Sequence, residues 1–125
     1  MPNYNIIMVE DDPDVLSFAE GDIRRNSLTF MGVSCLKSLE DALKDCNAQL
    51  FAVDGNFPHE DGDRILYLAP EAIDLIRKYH PDAKIAITSA DNKAEATARE
   101  KKVEYVPKDI GLTRQIAEFK RIMGI

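Results

Sequence analysis

Near the start of the chain, Ile6-Ile7-Met8-Val9 carries no polar side chain and runs directly into Glu10-Asp11-Asp12. A strand with one face in water alternates apolar and polar residues. An uninterrupted, largely β-branched run instead predicts a short strand buried on both faces. Leu50-Phe51-Ala52-Val53 repeats the pattern and ends on Asp54, and Ile85-Ala86-Ile87 ends on Thr88-Ser89. Gly32-Val33-Ser34-Cys35-Leu36 and Val103-Glu104-Tyr105-Val106 read as two shorter strands.

Between these runs the apolar residues move to helical spacing. Pro13 to about Asn26 places Val15, Phe18, Ala19 and Ile23 at that spacing, with Asp12 as N-cap and Pro13 in the first turn. Ser38-Leu39-Glu40-Asp41 is a capping-box pattern opening a helix through about Asp45. A loop rich in Gly, Pro and acids runs from Gly55 to Asp63. The helical signal resumes by Pro70, with Ala72, Ile73, Leu75, Ile76 and Tyr79 as the inward set, until His80-Pro81-Asp82 breaks it. Asp91 to Lys102 has good helix formers but only alanines as its apolar face, and Leu112 to Met123 is a final amphipathic helix.

Strands and helices in strict alternation predict an α/β fold, an open parallel sheet with helices on both faces. The chain's 125 residues give room for one compact domain spanning 1–125. In such a sheet ligands bind at the carboxyl ends of the strands, so Glu10, Asp11, Asp12, Asp54, Thr88, Ser89 and Lys108 are expected to converge. The net charge of −6 argues against direct nucleic-acid binding, which needs a basic surface. No apolar run approaches the roughly 20 residues that span a membrane. The start Met1-Pro2-Asn3-Tyr4-Asn5 lacks the features of a secretory signal, so a cytoplasmic protein without membrane insertion is expected. Cys35 and Cys46 form no Cys-x-x-Cys pair and are expected to be reduced and partly buried; His59 and His80, without partners at ligand spacing, are expected at the surface.

Carboxylates gathered at strand ends repel one another unless a cation neutralises them. Their oxygen ligands suit Mg²⁺, which takes one or two carboxylates, keeps several waters and remains free to coordinate phosphoryl oxygens. Asp54 has the chemistry of a carboxylate nucleophile toward phosphorus. Lys108 and Ser89 supply the cation and hydroxyl donor that phosphoryl transfer requires.

The residues that end the strands resemble the receiver domains of two-component response regulators over essentially the whole chain. The matching segments are Val9-Glu10-Asp11, then Val53-Asp54 with Pro58 and Asp61-Gly62 following, Ile87-Thr88-Ser89-Ala90, and Tyr105-Val106-Pro107-Lys108. The resemblance implies a flavodoxin-like, doubly wound five-stranded parallel sheet of order 2-1-3-4-5. It implies Asp54 as phosphoacceptor, with Asp11, Asp54, Glu10 (largely through water) and the Asn56 backbone carbonyl holding Mg²⁺. Lys108 would pair with Asp54 and then with the phosphoryl group, Ser89 would be the switch hydroxyl and Tyr105 the aromatic that follows it. The side chains of Asn56 and Asp91 would tune dephosphorylation. The implied function is that of a stand-alone phosphoacceptor that catalyses its own phosphorylation and dephosphorylation. A sensor histidine kinase or histidine phosphotransfer protein would be its donor and another protein its target.

The sequence departs from that pattern in places. Lys108 is followed by Asp109, where the family usually has a proline in a cis peptide, and the usual Gly-Ala before the fifth strand is missing. The stretch from Gly62 to Ser89 is longer than usual, with Arg64-Ile65-Leu66-Tyr67-Leu68 as extra material that reads as core or a short helix. The altered turn at Lys108 and the fourth helix, with only alanines as its apolar face, keep open a second reading, a phosphorylation-independent interaction module. A third, a small phosphohydrolase turning over on Asp54, meets Asn56 where one aspartate-based phosphatase family has a second acid.

Overall fold

The computed structural model describes residues 2–125; Met1, the first residue of the stretch read for a secretory signal, lies outside them. The elements run β1 (Asn3–Val9), α1 (Pro13–Arg25), β2 (Phe30–Val33), α2 (Leu36–Asp45), β3 (Asn47–Val53), β4 (Asn56–Phe57), β5 (Leu66–Tyr67), α3 (Ala69–Tyr79), β6 (Lys84–Ile87), α4 (Lys93–Lys101), β7 (Glu104–Tyr105), a 3-10 turn (Lys108–Ile110) and α5 (Leu112–Met123). The main sheet has the order β2-β1-β3-β6-β7, with every neighbouring pair parallel. Counting its five strands along the chain, this is the expected order 2-1-3-4-5.

The uninterrupted apolar runs are buried on both faces, as their composition predicts. Ile7, Val9, Phe51, Val53, Ile85 and Ile87 pack with Leu39, Leu43, Ile73, Ile76, Ala94 and Ala98 of α2, α3 and α4. Ile6, Met8, Leu50, Ala52 and Ala86 pack with Ala19, Ile23, Ile116 and Phe119 of α1 and α5. Each large apolar side chain fully withdrawn from water in these layers contributes about 1.5–3 kcal/mol, which fixes the sheet as a rigid platform.

Several local expectations are corrected. Ser38 does not open α2: the N-cap is Cys35, whose sulfur accepts from the Ser38 amide, while the Ser38 hydroxyl returns to the Cys35 amide. Val15 and Phe18 are exposed, Phe18 by 72%, because α1 turns Leu16, Ala19 and Ile23 toward the sheet instead. The extra segment is neither short helix nor wholly core. Leu66–Tyr67 forms β5, antiparallel to β4, which itself lies within the stretch read as loop. Leu68 is buried while Ile65 stands half in water. His80 is half-buried, stacked on Phe51 at 5.9 Å with Nε2 on the Leu43 carbonyl, whereas His59 is exposed as expected. Both cysteines are free and buried. No helix among the described residues is long and apolar enough to cross a membrane.

Candidate functional site

Strand register delivers the site. Val33, Val9, Val53, Ile87 and Tyr105 form one row across the sheet. The ladder continues one step further: the amides of Glu10, Asp54, Thr88 and Val106 bond to the carbonyls of Val33, Val9, Val53 and Ile87. Glu10, Asp54 and Thr88 therefore come abreast at the carboxyl edge, and the polar residue that stops each apolar run stands beside the others.

Carboxylate oxygens of Glu10, Asp11 and Asp54 all lie within 4.8 Å of one another. Glu10 and Asp54 are buried, only 4% and 7% exposed, and Asp11 is half-buried. Asp12 instead caps α1, accepting from the amides of Asp14 and Val15, and leaves the cluster to its neighbours. Lys108 enters from the loop after β7, its ammonium 2.7 Å from Glu10 Oε1 and 3.3 Å from Asp54 Oδ2. The other Asp54 oxygen accepts from the Gly55 amide at 2.6 Å. The lysine reaches the acids although Pro107 precedes it and Asp109 follows it, and no peptide bond among the described residues is cis.

Charge in this confined place moves the protonation equilibria. Burial, and then the Asp54 carboxyl beside it, raise the Glu10 pKa above the ordinary glutamate value. Burial and the neighbouring Glu10 raise that of Asp11. For Lys108 burial works against the charged form, but hydrogen bonding to Glu10 and the field of Asp54 outweigh it and hold its pKa above the usual lysine range. Carboxylates held close with one ammonium between them leave room for a further cation. Three hard oxygen donors fit a small divalent ion such as Mg²⁺.

The acids, Lys108, Ser89, Asn56 and Asp91 line one open pocket of about 350 Å³, with Val15 and Ile65 as its apolar rim. Ser89 is buried, and its hydroxyl accepts from the Asp91 amide at 3.0 Å. The Tyr105 hydroxyl donates to the Ser89 carbonyl at 3.4 Å. The Asn56 side-chain amide donates to Asp91 Oδ2 at 3.2 Å across the mouth. That bond, behind the Lys93 amide in effect, lowers the Asp91 pKa. Asp54, Lys108, Ser89, Glu10, Asp11 and Asn56 are thus brought together, with Tyr105 one layer behind. Two residues of the site were not singled out in the sequence. A Cβ on Gly55 would meet Ser89 Oγ at 2.6 Å and the Tyr67 ring at 3.1 Å, so both side chains close on the space that the missing Cβ leaves. A glycine directly after a strand-ending acid is the available signal for such a close approach. Tyr67 had no signal beyond lying in the extra segment.

No protein-family model and no curated protein matches the sequence. Solved structures do match. A CheY-like response regulator receiver domain protein from Methanospirillum hungatei JF-1 superposes with TM-score 0.80 at 13% identity, over 99% of this chain and 94% of that one. The non-phosphorylated HemR receiver domain from Leptospira biflexa gives TM-score 0.79 at 16% identity, over 100% and 96%. The receiver domain of NtrX from Brucella abortus gives TM-score 0.78 at 21% identity, over 95% and 98%. These likenesses show the fold: the chain has the flavodoxin-like architecture of response-regulator receivers, with an acidic group able to hold a metal at its carboxyl edge.

Proposed function

We propose that this chain is a phosphoacceptor receiver of a two-component or phosphorelay system, taking a phosphoryl group from a phosphohistidine onto Asp54 with Mg²⁺. The observation that carries this reading is the convergence of Glu10, Asp11, Asp54 and Lys108 on one open pocket at the carboxyl edge of the sheet. Asp11, Asp54, Glu10 and the Asn56 carbonyl would hold Mg²⁺, which when bound neutralises charge on phosphoryl oxygens.

The chain's own residues supply the rest. An Asp54 oxygen forms the new P–O bond as the P–N bond breaks, and the imidazole leaves with the bonding pair and takes up a proton. Lys108, already beside Asp54, pairs with the incoming phosphoryl oxygens. Ser89 gives up the Asp91 amide and donates its hydroxyl to the phosphoryl group, and Tyr105, bonded to the Ser89 carbonyl, follows. Later attack of water on phosphorus restores the Asp54 carboxylate and releases inorganic phosphate. The donor is a sensor histidine kinase or histidine phosphotransfer protein in the cytoplasm. The output is phosphorylation-dependent binding of another protein, not direct binding of nucleic acid, which the net charge of −6 disfavours.

The test is intact mass after incubation with acetyl phosphate, with and without Mg²⁺, for the parent and Asp54→Asn. One phosphoryl adduct that requires both Mg²⁺ and Asp54 is expected. A folded, Mg²⁺-binding protein that takes no adduct would overturn the reading in favour of a phosphorylation-independent interaction module.

A further inference from the structure

The segment from Ile65 to Leu68 is tied to the phosphoacceptor loop at one end and to α4 at the other. β5 pairs with β4 two residues after Asp54, placing Tyr67 opposite Asn56, and the Leu68 amide bonds to the Gly55 carbonyl at 3.0 Å. The Tyr67 ring and the Ser89 hydroxyl then border the same space beside Gly55, where a Cβ would stand. At its far end the Tyr67 hydroxyl meets Thr97 Oγ1 at 2.6 Å. Thr97 donates its only hydroxyl proton to the Lys93 carbonyl, so in this pair Tyr67 is the donor. The Lys93 ammonium stands over the same ring, 4.7 Å from its centroid.

What makes this connection consequential is how little apolar surface α4 buries, its other side-chain ties being ionic, such as Lys101 to Asp74 at 3.0 Å. Its buried side chains are only Ala94, Thr97 and Ala98. Two alanines bury little apolar area, so this helix belongs to the least firmly held part of the fold, the part from which moving elements are drawn. Two of its side chains, Thr97 and Lys93, are spent on Tyr67. Tyr67 thus ties the body of the helix to the loop of Asp54, beside the link from Asn56 through Asp91 to its first turn.

We infer that Tyr67 is a positioning residue of the Asp54 loop, and that its hydroxyl carries the state of that loop to α4. The inference rests on the phosphoacceptor reading. When Ser89 swings toward a phosphoryl group it leaves the space beside Gly55 that it shares with the Tyr67 ring, and the ring is the first group to respond. Thr97 and Lys93 then follow the ring. This path runs beside the one through Tyr105 and is built from the β4–β5 hairpin.

The experiment compares amide NMR shifts of isotope-labelled parent, Tyr67→Phe and Thr97→Val on adding beryllofluoride with Mg²⁺, a mimic of the bound phosphoryl group. Tyr67→Phe keeps the ring and leaves Thr97 bonded to Lys93; Thr97→Val removes the other partner, and its loss of function must match. In the parent, shifts are expected at Gly55 and Ser89 and also at Ala94–Ala98. In both variants the Gly55 and Ser89 shifts should persist, while those of α4 shrink by about fivefold, the factor one neutral hydrogen bond contributes to a two-state equilibrium. Full α4 shifts in the two variants would overturn the inference while the phosphoacceptor reading stands. A parent with no shift at Gly55 or Ser89 would overturn both.

Discussion

The Lys108 ammonium stands closer to Glu10, at 2.7 Å, than to Asp54, at 3.3 Å, so one cation bridges two buried carboxylates. The lysine therefore balances charge before any phosphoryl group arrives. Lys108→Met keeps the apolar stem and removes that balance. Without Mg²⁺ the variant should lose about 1–3 kcal/mol of stability, the cost of leaving a buried charged partner unsatisfied. Its rate of phosphorylation by acetyl phosphate should fall about 10²-fold, as for removal of one electrostatic donor. Denaturant midpoints and initial adduct rates measure the two effects. Equal stabilisation of parent and variant by Mg²⁺ would show that the lysine does not share the cation's role.

The raised acids fix the sign of a pH effect. Glu10 titrates above its ordinary 4.5 and Asp11 above 3.8, each chiefly because burial disfavours the charged form. The folded state then holds protons more tightly than the unfolded one. This contribution is present at acid pH and is lost as pH rises from those values through the folded ones. Mg²⁺ binds only the deprotonated carboxylates, so its stabilisation should grow with pH over that window and then level off. At 100 times its dissociation constant the ion should add about 2.7 kcal/mol. Lys108 acts at the other end: its pKa is raised above 10.5, so its contribution is complete below that value and disappears only as pH climbs through the folded one. Denaturation series across pH, with Mg²⁺ and with chelator, would read both. A Mg²⁺ increment that does not depend on pH would contradict the assignment of these acids as ligands.

Gly55 is required by contact and not by backbone angle. Ala at this position would put its Cβ 2.6 Å from Ser89 Oγ and 3.1 Å from the Tyr67 ring. Gly55→Ala should cost about 1–3 kcal/mol, as overpacking of a close-packed site does. It should also disturb Ser89 more than the distant core, visible as amide shifts at Ser89 and Tyr67 that exceed those in α5. A neutral substitution would mean that Ser89 and Tyr67 have room to give way.

The strand ends were the most legible part of the chain, because a buried parallel strand cannot carry polar residues until it leaves the core. Val9, Val53 and Ile87 each mark the last apolar position of their run, and the register then lines up Glu10, Asp54 and Thr88 without further information. The phase of α1 was not legible: frames through Val15 and Phe18 or through Leu16 share Ala19 and Ile23, and only packing chooses between them. Cys35 was unreadable as a cap since sulfur is a poor acceptor, yet Ser38 three residues on completes the box. The β4–β5 hairpin was hidden because two-residue strands have no period to detect. Its partner Thr97 lies in a helix whose pattern shows only alanines.

The end of α4 holds a removable strain. Lys102 adopts a left-handed conformation, φ 57° and ψ 49°, while its amide and that of Val103 close the helix on Arg99 and Ala98. Glycine is the residue that takes this position without a Cβ penalty. Lys102→Gly should stabilise the fold by about 0.5–1 kcal/mol, the relief of the left-handed penalty less the added freedom of the unfolded chain. Thermal unfolding would register it as a midpoint higher by a few degrees. A lower midpoint would mean that the lysine side chain contributes more than its backbone costs.

Asn56 and Asp91 face one another at 3.2 Å across the mouth of the pocket and spend polar atoms on each other. Asp91 is held ionised there, first by the Lys93 amide and then by Asn56. In Asn56→Asp that hydrogen bond becomes a contact between like charges. The two side chains should part, the mouth should open, and the new carboxylate can orient a water toward phosphorus. Decay of the Asp54 adduct, followed by mass after removal of the donor, should then quicken by about tenfold, below the roughly 10²-fold that a fully positioned base supplies. The same variant should lose stability at neutral pH and regain it on acidification, as the added carboxyl takes up its proton. Asn56→Ala separates the two causes, since it opens the mouth without adding a base. If Asn56→Ala speeds decay as much as Asn56→Asp, access of water sets the lifetime; if only Asn56→Asp does, orientation of water sets it. A longer lifetime in both would mean that the Asn56 amide itself guides the attacking water, and the bond to Asp91 would then be a resting contact with no part in the timing.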